Sequence, residues 1–176
     1  MIKDCLIVKD NFFDKKFYEE ILFDISRLKF QNRNTSVDKN LKNVYQTIYF
    51  NVPLDKQHFA VKETNKILED FGLNIHIGDS FYFLSAPYKA GATIHNDSAD
   101  VNCLIYIKGR ELMNSGTAFY DYNEEENKYV LRTHVGFKEN RALIFDSKIY
   151  HSTTQFKEDS GSRYVIANFF NLKEKH

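Results

Sequence analysis

The apolar positions of this chain keep a helical rhythm through much of the first 75 residues and a strand rhythm after them. Phe13, Phe17, Ile21, Ile25 and Leu28 recur at every third or fourth position. That spacing predicts one face of an amphipathic helix over roughly 13–29. Asp14 sits near its start, where the helix dipole favours a negative charge. Residues 2–9 alternate loosely and predict a short edge strand. Residues 30–43, FQNRNTSVDKNLKN, have no period and predict a solvated connection, a lid over a site being the functional alternative. Val44 to Asn51 reads as a strand ended by Pro53. Asp55 is then expected to cap a helix running to about Phe71 and closed by Gly72, with Phe59, Ile67 and Phe71 on its core face.

Beyond this point short apolar and aromatic runs follow one another: FYFLSA (81–86), VNCLIYI (101–107), GTAFY (116–120), KYVLRTHV (128–135), RALIFD (141–146), IYHSTTQF (149–156) and RYVIANFF (163–170). Turn-rich segments separate them, among them KGRELMNSG, DYNEEEN, GFKEN and KEDSGS. Many short strands at this spacing predict a sandwich or jelly roll. The expected fold is mainly β with N-terminal helices: a double-stranded β-helix (jelly roll, cupin-like) with two supporting α-helices. One domain is expected over 1–176, with a helical support region at 1–75 and the β-helix core at 76–171. The acidic run at 124–126 reads as a solvated hairpin tip.

Composition narrows the class. A chain of 176 residues suits a single sizeable core. Apolar residues at 43% argue against disorder, and 16 Phe with 11 Tyr favour strands. Lys plus Arg equals Asp plus Glu at 24 each, so nothing resembles the basic footprint of a nucleic-acid binder. Cys5 and Cys103 form no CxxC pair and fit free thiols in an intracellular protein. No apolar run reaches membrane-spanning length, and MIKDCLIVKD lacks a signal-peptide core. A cytoplasmic, soluble protein is expected. Neither GxSxG nor a phosphate-cradling Gly-rich loop is present.

Candidate chemistry lies in ATIHNDSAD, where His95 and Asp97 are two residues apart and so project to one side of a strand or its end. An imidazole and a carboxylate so placed can take adjacent positions on one metal. His151 in IYHSTTQF would complete a two-His, one-carboxylate face, the ligand set of non-haem iron(II) oxygenases, which leaves open positions for cosubstrate and dioxygen. HxD alone is a weak signal; its order with His151 and Arg163 on predicted strands carries the weight. QFKEDSGSR reads as a hairpin turn that would set Arg163 opposite Thr153 to Gln155, on the face of His151. A buried guanidinium there would meet an anion, either a dicarboxylate cosubstrate or a structural acid such as Asp146. His134 reads as an exposed strand histidine, with a place at a substrate mouth as its functional alternative, and His76 reads as structural.

HND (95–97), LIYIKG (104–109), GTAFY (116–120), NRALIFDSKIYHSTTQF (140–156) and SRYVIANFF (162–170) together resemble the 2-oxoglutarate- and iron(II)-dependent oxygenase superfamily, nearest its prolyl 4-hydroxylase-like branch. The resemblance covers about half the chain in the family's order. It implies iron(II) held by His95, Asp97 and His151, and 2-oxoglutarate bound through its distal carboxylate by Arg163, where that branch often has Lys. Tyr82 and Tyr88 are both candidates for the tyrosine that contacts 2-oxoglutarate, and Thr153 and Asn102 for polar positions near it. The implied reaction consumes dioxygen and 2-oxoglutarate and hydroxylates a protein side chain or a small metabolite, giving succinate and carbon dioxide; no membrane or nucleic-acid partner is expected. The loops at 30–43 and 108–116 are expected to shape specificity. The alternatives are a cupin-like metal enzyme that does not use 2-oxoglutarate, with Arg163 binding the substrate itself, and a non-catalytic β-barrel binding module.

Overall fold

Asp14 accepts the backbone N–H of Phe17 and caps helix α1 (Lys15–Arg27), whose buried positions are Ile21 and Ile25. The structure, a computed structural model, describes residues 5–32, 44–85, 94–154 and 163–173. Helix α2 (Leu54–Leu68) follows Pro53, and a single 3-10 turn (Glu69–Phe71) ends at Gly72 with φ 65°. Gly72 closes the helix as expected, because the left-handed conformation suits glycine. Asp55 does not cap α2: it lies in the first turn, 3.6 Å from the Lys56 ammonium, and Pro53 holds the cap position with no side-chain bond.

The strands are β1 (Leu6–Lys9), β2 (Gln31–Asn32), β3 (Val44–Asn51), β4 (Ile75–Ser85), β5 (Val101–Lys108), β6 (Gly116–Asn123), β7 (Lys128–Gly136), β8 (Arg141–Asp146), β9 (Tyr150–Thr153) and β10 (Arg163–Leu172). Seven form a major sheet in the order β1-β8-β5-β10-β4-β3-β2, and three a minor sheet, β7-β6-β9. Each pairing is antiparallel. Two antiparallel sheets with two supporting helices are the jelly-roll arrangement that the strand spacing predicts. The N-terminal segment adds β1, β2 and β3 to the major sheet besides its helices.

β9 and β10 do not make the expected hairpin. β9 pairs with β6 in the minor sheet, while β10 lies between β5 and β4 in the major one. The intervening residues 155–162 lie outside the described residues, as do 33–43 of the predicted connection and Tyr88.

The alternation along β5 separates two cores. Val101, Cys103, Ile105 and Ile107 face the helices and pack with Ile21, Ala60, Leu68 and Tyr82. Leu104 and Tyr106 face the minor sheet and pack with Phe119, Phe137, Leu143, Phe145 and Val165. The second core lies between the sheets and supports the site.

Candidate metal centre

His95, Asp97 and His151 are brought together: each offers a ligand atom, and these atoms lie within 4.8 Å of one another. Asp97 Oδ2 is 3.3 Å from His151 Nε2, and Asp97 Oδ1 is 4.0 Å from His95 Nε2. His95 is half-exposed and His151 buried, so the group sits at the rim of the inter-sheet space. Among the described residues it is the one group of donors able to hold a metal ion.

Backbone pairing explains how positions so distant in sequence meet. His95 and His151 form an antiparallel bridge, with the His95 N–H donating to His151 O at 3.1 Å and the His151 N–H to His95 O at 2.8 Å. The turn between β8 and β9 grips the carboxylate ligand from three directions. Asp97 N–H donates to Ser147 O at 2.9 Å. Ser147 Oγ donates to Asn102 Oδ1 at 2.8 Å, and Asn102 Nδ2 donates to Asp97 Oδ2 at 2.5 Å. Lys148 Nζ donates to the carbonyls of Asp97 and Ser98 at 2.9 and 3.2 Å. Burial alone would push the Asp97 carboxyl up, but the hydrogen bonds from His151 and Asn102 and the two imidazole charges hold it below its usual value.

The imidazole of His151 is fixed as well. Nδ1 lies 2.9 Å from Ile149 O, to which it can only donate, so Nε2, the nitrogen facing Asp97, is the one a metal would bind on losing its proton. The rings of Phe145 and Phe119 flank it at 5.0 and 6.3 Å. A donor set of two imidazole nitrogens and one carboxylate with an oriented second oxygen therefore fits a divalent first-row metal.

Arg163 opens β10 and is buried between the sheets. Its guanidinium lies over the Tyr106 ring at 5.6 Å and the Phe137 ring at 6.0 Å, and its Nη1 donates to Gly116 O at 2.8 Å. Burial pushes it down to about 10, so it stays cationic at neutral pH. The same Gly116 carbonyl accepts the N–H of Thr154 at 3.1 Å. Arg163 thus converges with the end of β9 across the two sheets instead of along a hairpin. A Cβ on Gly109 would stand 2.9 Å from that of Arg163, which is why the chain has glycine there. The alternative partner, Asp146, turns its carboxylate to the N–H of Lys148. Thr153 lies opposite Thr117 on β6, two pairs along from the Phe119–His151 pair and half-buried.

Tyr82 is not brought to this site. It is paired with Ile166 and packs in the core under the helices. Burial pushes its phenol up, with the charges of Asp24 and Asp55 adding to it, which places it against the helical layer. The tyrosine that does enter the inter-sheet space is Tyr106, which the sequence reading missed. Its hydroxyl lies 2.7 Å from Thr117 Oγ1, and its ring stacks on Phe137. Its position two alternations along the same strand face from Asn102 was the available signal. His134 is half-buried, with Nε2 3.1 Å from Thr154 Oγ1; burial and the Arg163 charge hold its imidazolium below the ordinary value. His76 and His58 line an open depression of 830 Å³ on the α2 flank, which contains none of the triad.

No family model and no curated protein matches the sequence. Solved structures do match in shape. HygX from Streptomyces hygroscopicus, with nickel and 2-oxoglutarate bound, superposes with a TM-score of 0.64 at 9% identity, over 94% of this chain and 82% of that one. The chain has the fold of the 2-oxoglutarate-dependent oxygenases. A prolyl hydroxylase from Trichoplax adhaerens, in complex with a hypoxia-inducible-factor peptide fragment, gives 0.61 at 17% identity, over 96% and 84%. A prolyl-4-hydroxylase from Pseudomonas putida gives 0.62 at 11% identity, over 94% and 92%. Among the described residues no helix is long and apolar enough to cross a membrane.

Proposed function

We propose that this chain is a non-haem iron(II) dioxygenase that uses 2-oxoglutarate to hydroxylate a C–H bond. The observation that carries it is the arrangement of two ligand histidines and one carboxylate at the rim, with a buried arginine on an aromatic platform deeper between the sheets. The balanced reaction takes one substrate C–H, dioxygen and 2-oxoglutarate to one C–OH, succinate and carbon dioxide. Iron(II), when bound, would couple the oxidative decarboxylation of 2-oxoglutarate to that oxidation.

The chain's own residues supply position and charge. His95, Asp97 and His151 would hold the metal, three protein ligands leaving further positions for cosubstrate and dioxygen. Asn102 and Ser147 hold the Asp97 carboxylate, and Ile149 O sets the His151 tautomer. Arg163 receives the distal carboxylate of 2-oxoglutarate, a planar fork on a planar anion, with the Tyr106 hydroxyl and Thr117 beside it. Thr153, paired to Thr117, is the further hydroxyl on this path. Phe119, Phe137 and Phe145 exclude water around it. The substrate is a protein side chain or a small metabolite, and the site is assigned to a cytoplasmic enzyme.

Arg163→Ala tests the cosubstrate assignment. It is expected to raise the 2-oxoglutarate concentration needed for half-maximal succinate formation by tenfold or more while iron(II) affinity holds. An unchanged requirement would move Arg163 to a different role and favour a metal enzyme that does not use 2-oxoglutarate.

A further inference from the structure

The depression on the flank of α2 holds none of the metal-site residues, and its lining is sorted by charge. Its floor is apolar, made by Val61, Leu73 and Ile75. Its rim carries His58, Lys62 and Lys66 at every fourth position of α2, so they form one stripe along the helix. His76 on β4 and Lys173, just past β10, line it as well. Among the described lining residues Glu69 alone is acidic. In a chain of zero net charge this excess of cations is local. Lys66 is committed to Glu63 at 2.6 Å and lies in the last turn of the helix, where a cation is favoured in any case. Lys62 and Lys173 differ: both are exposed, and neither has an ion pair among the described residues. Hydrogen bonds fix the two banks against each other. Asn65 commits both ends of its amide to Ile75, accepting its N–H at 2.7 Å and donating to its carbonyl at 3.2 Å. The Lys173 N–H donates to Asn74 O at 2.9 Å. The depression is therefore preformed.

We propose that this depression docks an acidic peptide segment of a partner protein, with one aliphatic side chain on the floor and flanking carboxylates at Lys62 and Lys173. Burial of the aliphatic group supplies affinity, and the exposed cations supply steering and choice of partner. Other occupants fit the lining less well. A small anionic metabolite calls for a site that encloses most of its surface, whereas these 830 Å³ lie open along exposed helix residues. A nucleic-acid strand calls for rings on which its bases stack, and no Phe, Tyr or Trp is among the described lining residues. A bilayer takes apolar side chains that project from a surface. Here the apolar residues are the recessed part: Ile75 is buried, and Val61 and Leu73 are half-buried. An extended peptide meets both the recessed floor and the charged rim. The site stands apart from the triad, so it does not depend on the oxygenase reading.

The test uses the zinc-loaded full chain at low salt and constant pH. The ring signals of His58 and His76 are followed by NMR and assigned through His58→Gln and His76→Gln. Four probes are titrated: acetyl-Asp-Glu-Leu-Glu-Asp-amide, its neutral counterpart acetyl-Asn-Gln-Leu-Gln-Asn-amide, its anchorless counterpart acetyl-Asp-Glu-Ser-Glu-Asp-amide, and a single-stranded DNA decamer. The acidic leucine peptide is expected to shift both ring signals and to saturate. The neutral and anchorless peptides are each expected to bind about fivefold more weakly or worse. Lys62→Glu and Lys173→Glu, at exposed positions that leave the fold intact, are each expected to weaken the acidic peptide by about the same factor. Glu69→Gln, which removes the acid of the rim, is expected to tighten it. No shift at either histidine overturns the proposal. So does equal binding of the neutral or the anchorless peptide, or an affinity unchanged in both lysine variants. Tighter binding of the DNA at these two histidines would also overturn it and make the depression a nucleic-acid site.

Discussion

Asn102 has one amide, and both ends of it are committed: Oδ1 accepts from Ser147, and Nδ2 donates to Asp97. A side chain that orients a ligand carboxylate typically contributes 10- to 100-fold to metal affinity. Asn102→Ala is therefore expected to weaken binding of cobalt(II) or zinc(II) by about that factor, measured by calorimetry, with the folded state retained. Asp97→Ala removes the ligand itself and is expected to abolish iron(II) binding; retained affinity would remove Asp97 from the ligand set. Arg163 and Tyr106 illustrate what one dimension conceals. The buried arginine was legible because a cation in a strand needs a reason, but Tyr106 reads in sequence as one more aromatic in an apolar run. Its role depends on which strand face the hydroxyl meets, and Thr117 supplies that partner from the other sheet.

At the scale of elements, α1 was legible from its apolar period and from Asp14, whose carboxylate caps it at 2.9 Å. Asp14→Ala is expected to cost about 1 kcal/mol of stability in chemical denaturation, the usual effect of losing such a cap. α2 was legible in extent and partly in facing: Phe59 and Ile67 pack against the core as expected, and Phe71 does not. Its buried positions are Lys56, Gln57, Ala60, Thr64 and Leu68, while Phe71 is 55% exposed. The polar members are buried because each has a partner: Lys56 pairs with Asp24 at 3.1 Å, Gln57 donates to Val52 O, and Thr64 donates to Cys103 Sγ. Hydropathy alone cannot reveal a polar residue whose partner is remote in sequence. The link from the start of the chain to β8 is also ionic. Asp10 accepts from Arg141 Nε at 2.6 Å and Lys138 Nζ at 2.8 Å, and these bonds hold its carboxyl well below the usual carboxylate range. A carboxyl depressed by folding contributes stability above its unfolded pKa, and this is lost as pH falls through the folded value. The stability difference between the unsubstituted protein and Asp10→Asn is therefore expected to hold from neutrality down to about pH 4 and to shrink below it, read from denaturation midpoints. A difference that grows towards acid would contradict the linkage.

For the whole molecule, the two thiols offer a check on the layers. Both are free; Cys103 is buried under α2, where burial pushes it up to about 12, and Cys5 is half-buried. One thiol is expected to react with a disulfide reagent in the native state and the second only on unfolding. Two equally reactive thiols would mean that the helix layer does not cover the major sheet. The jelly-roll class was legible from short strands at regular spacing, and the ligand set from order along the chain. The strand pairing was not. A local turn between β9 and β10 looks favourable in sequence, yet the two strands part to different sheets, because the fold closes its core with long-range pairs such as β1 with β8 and β10 with β4. The convergence of Arg163 with the end of β9 survived that change because Gly116 O receives both from opposite sides. The most direct test of the central claim is an anaerobic titration of the metal-free protein with iron(II) and 2-oxoglutarate, followed by visible absorption. A weak charge-transfer band that saturates at one equivalent of each, and is lost in Asp97→Ala, is the predicted result; no band, together with no succinate after admission of air, would contradict it.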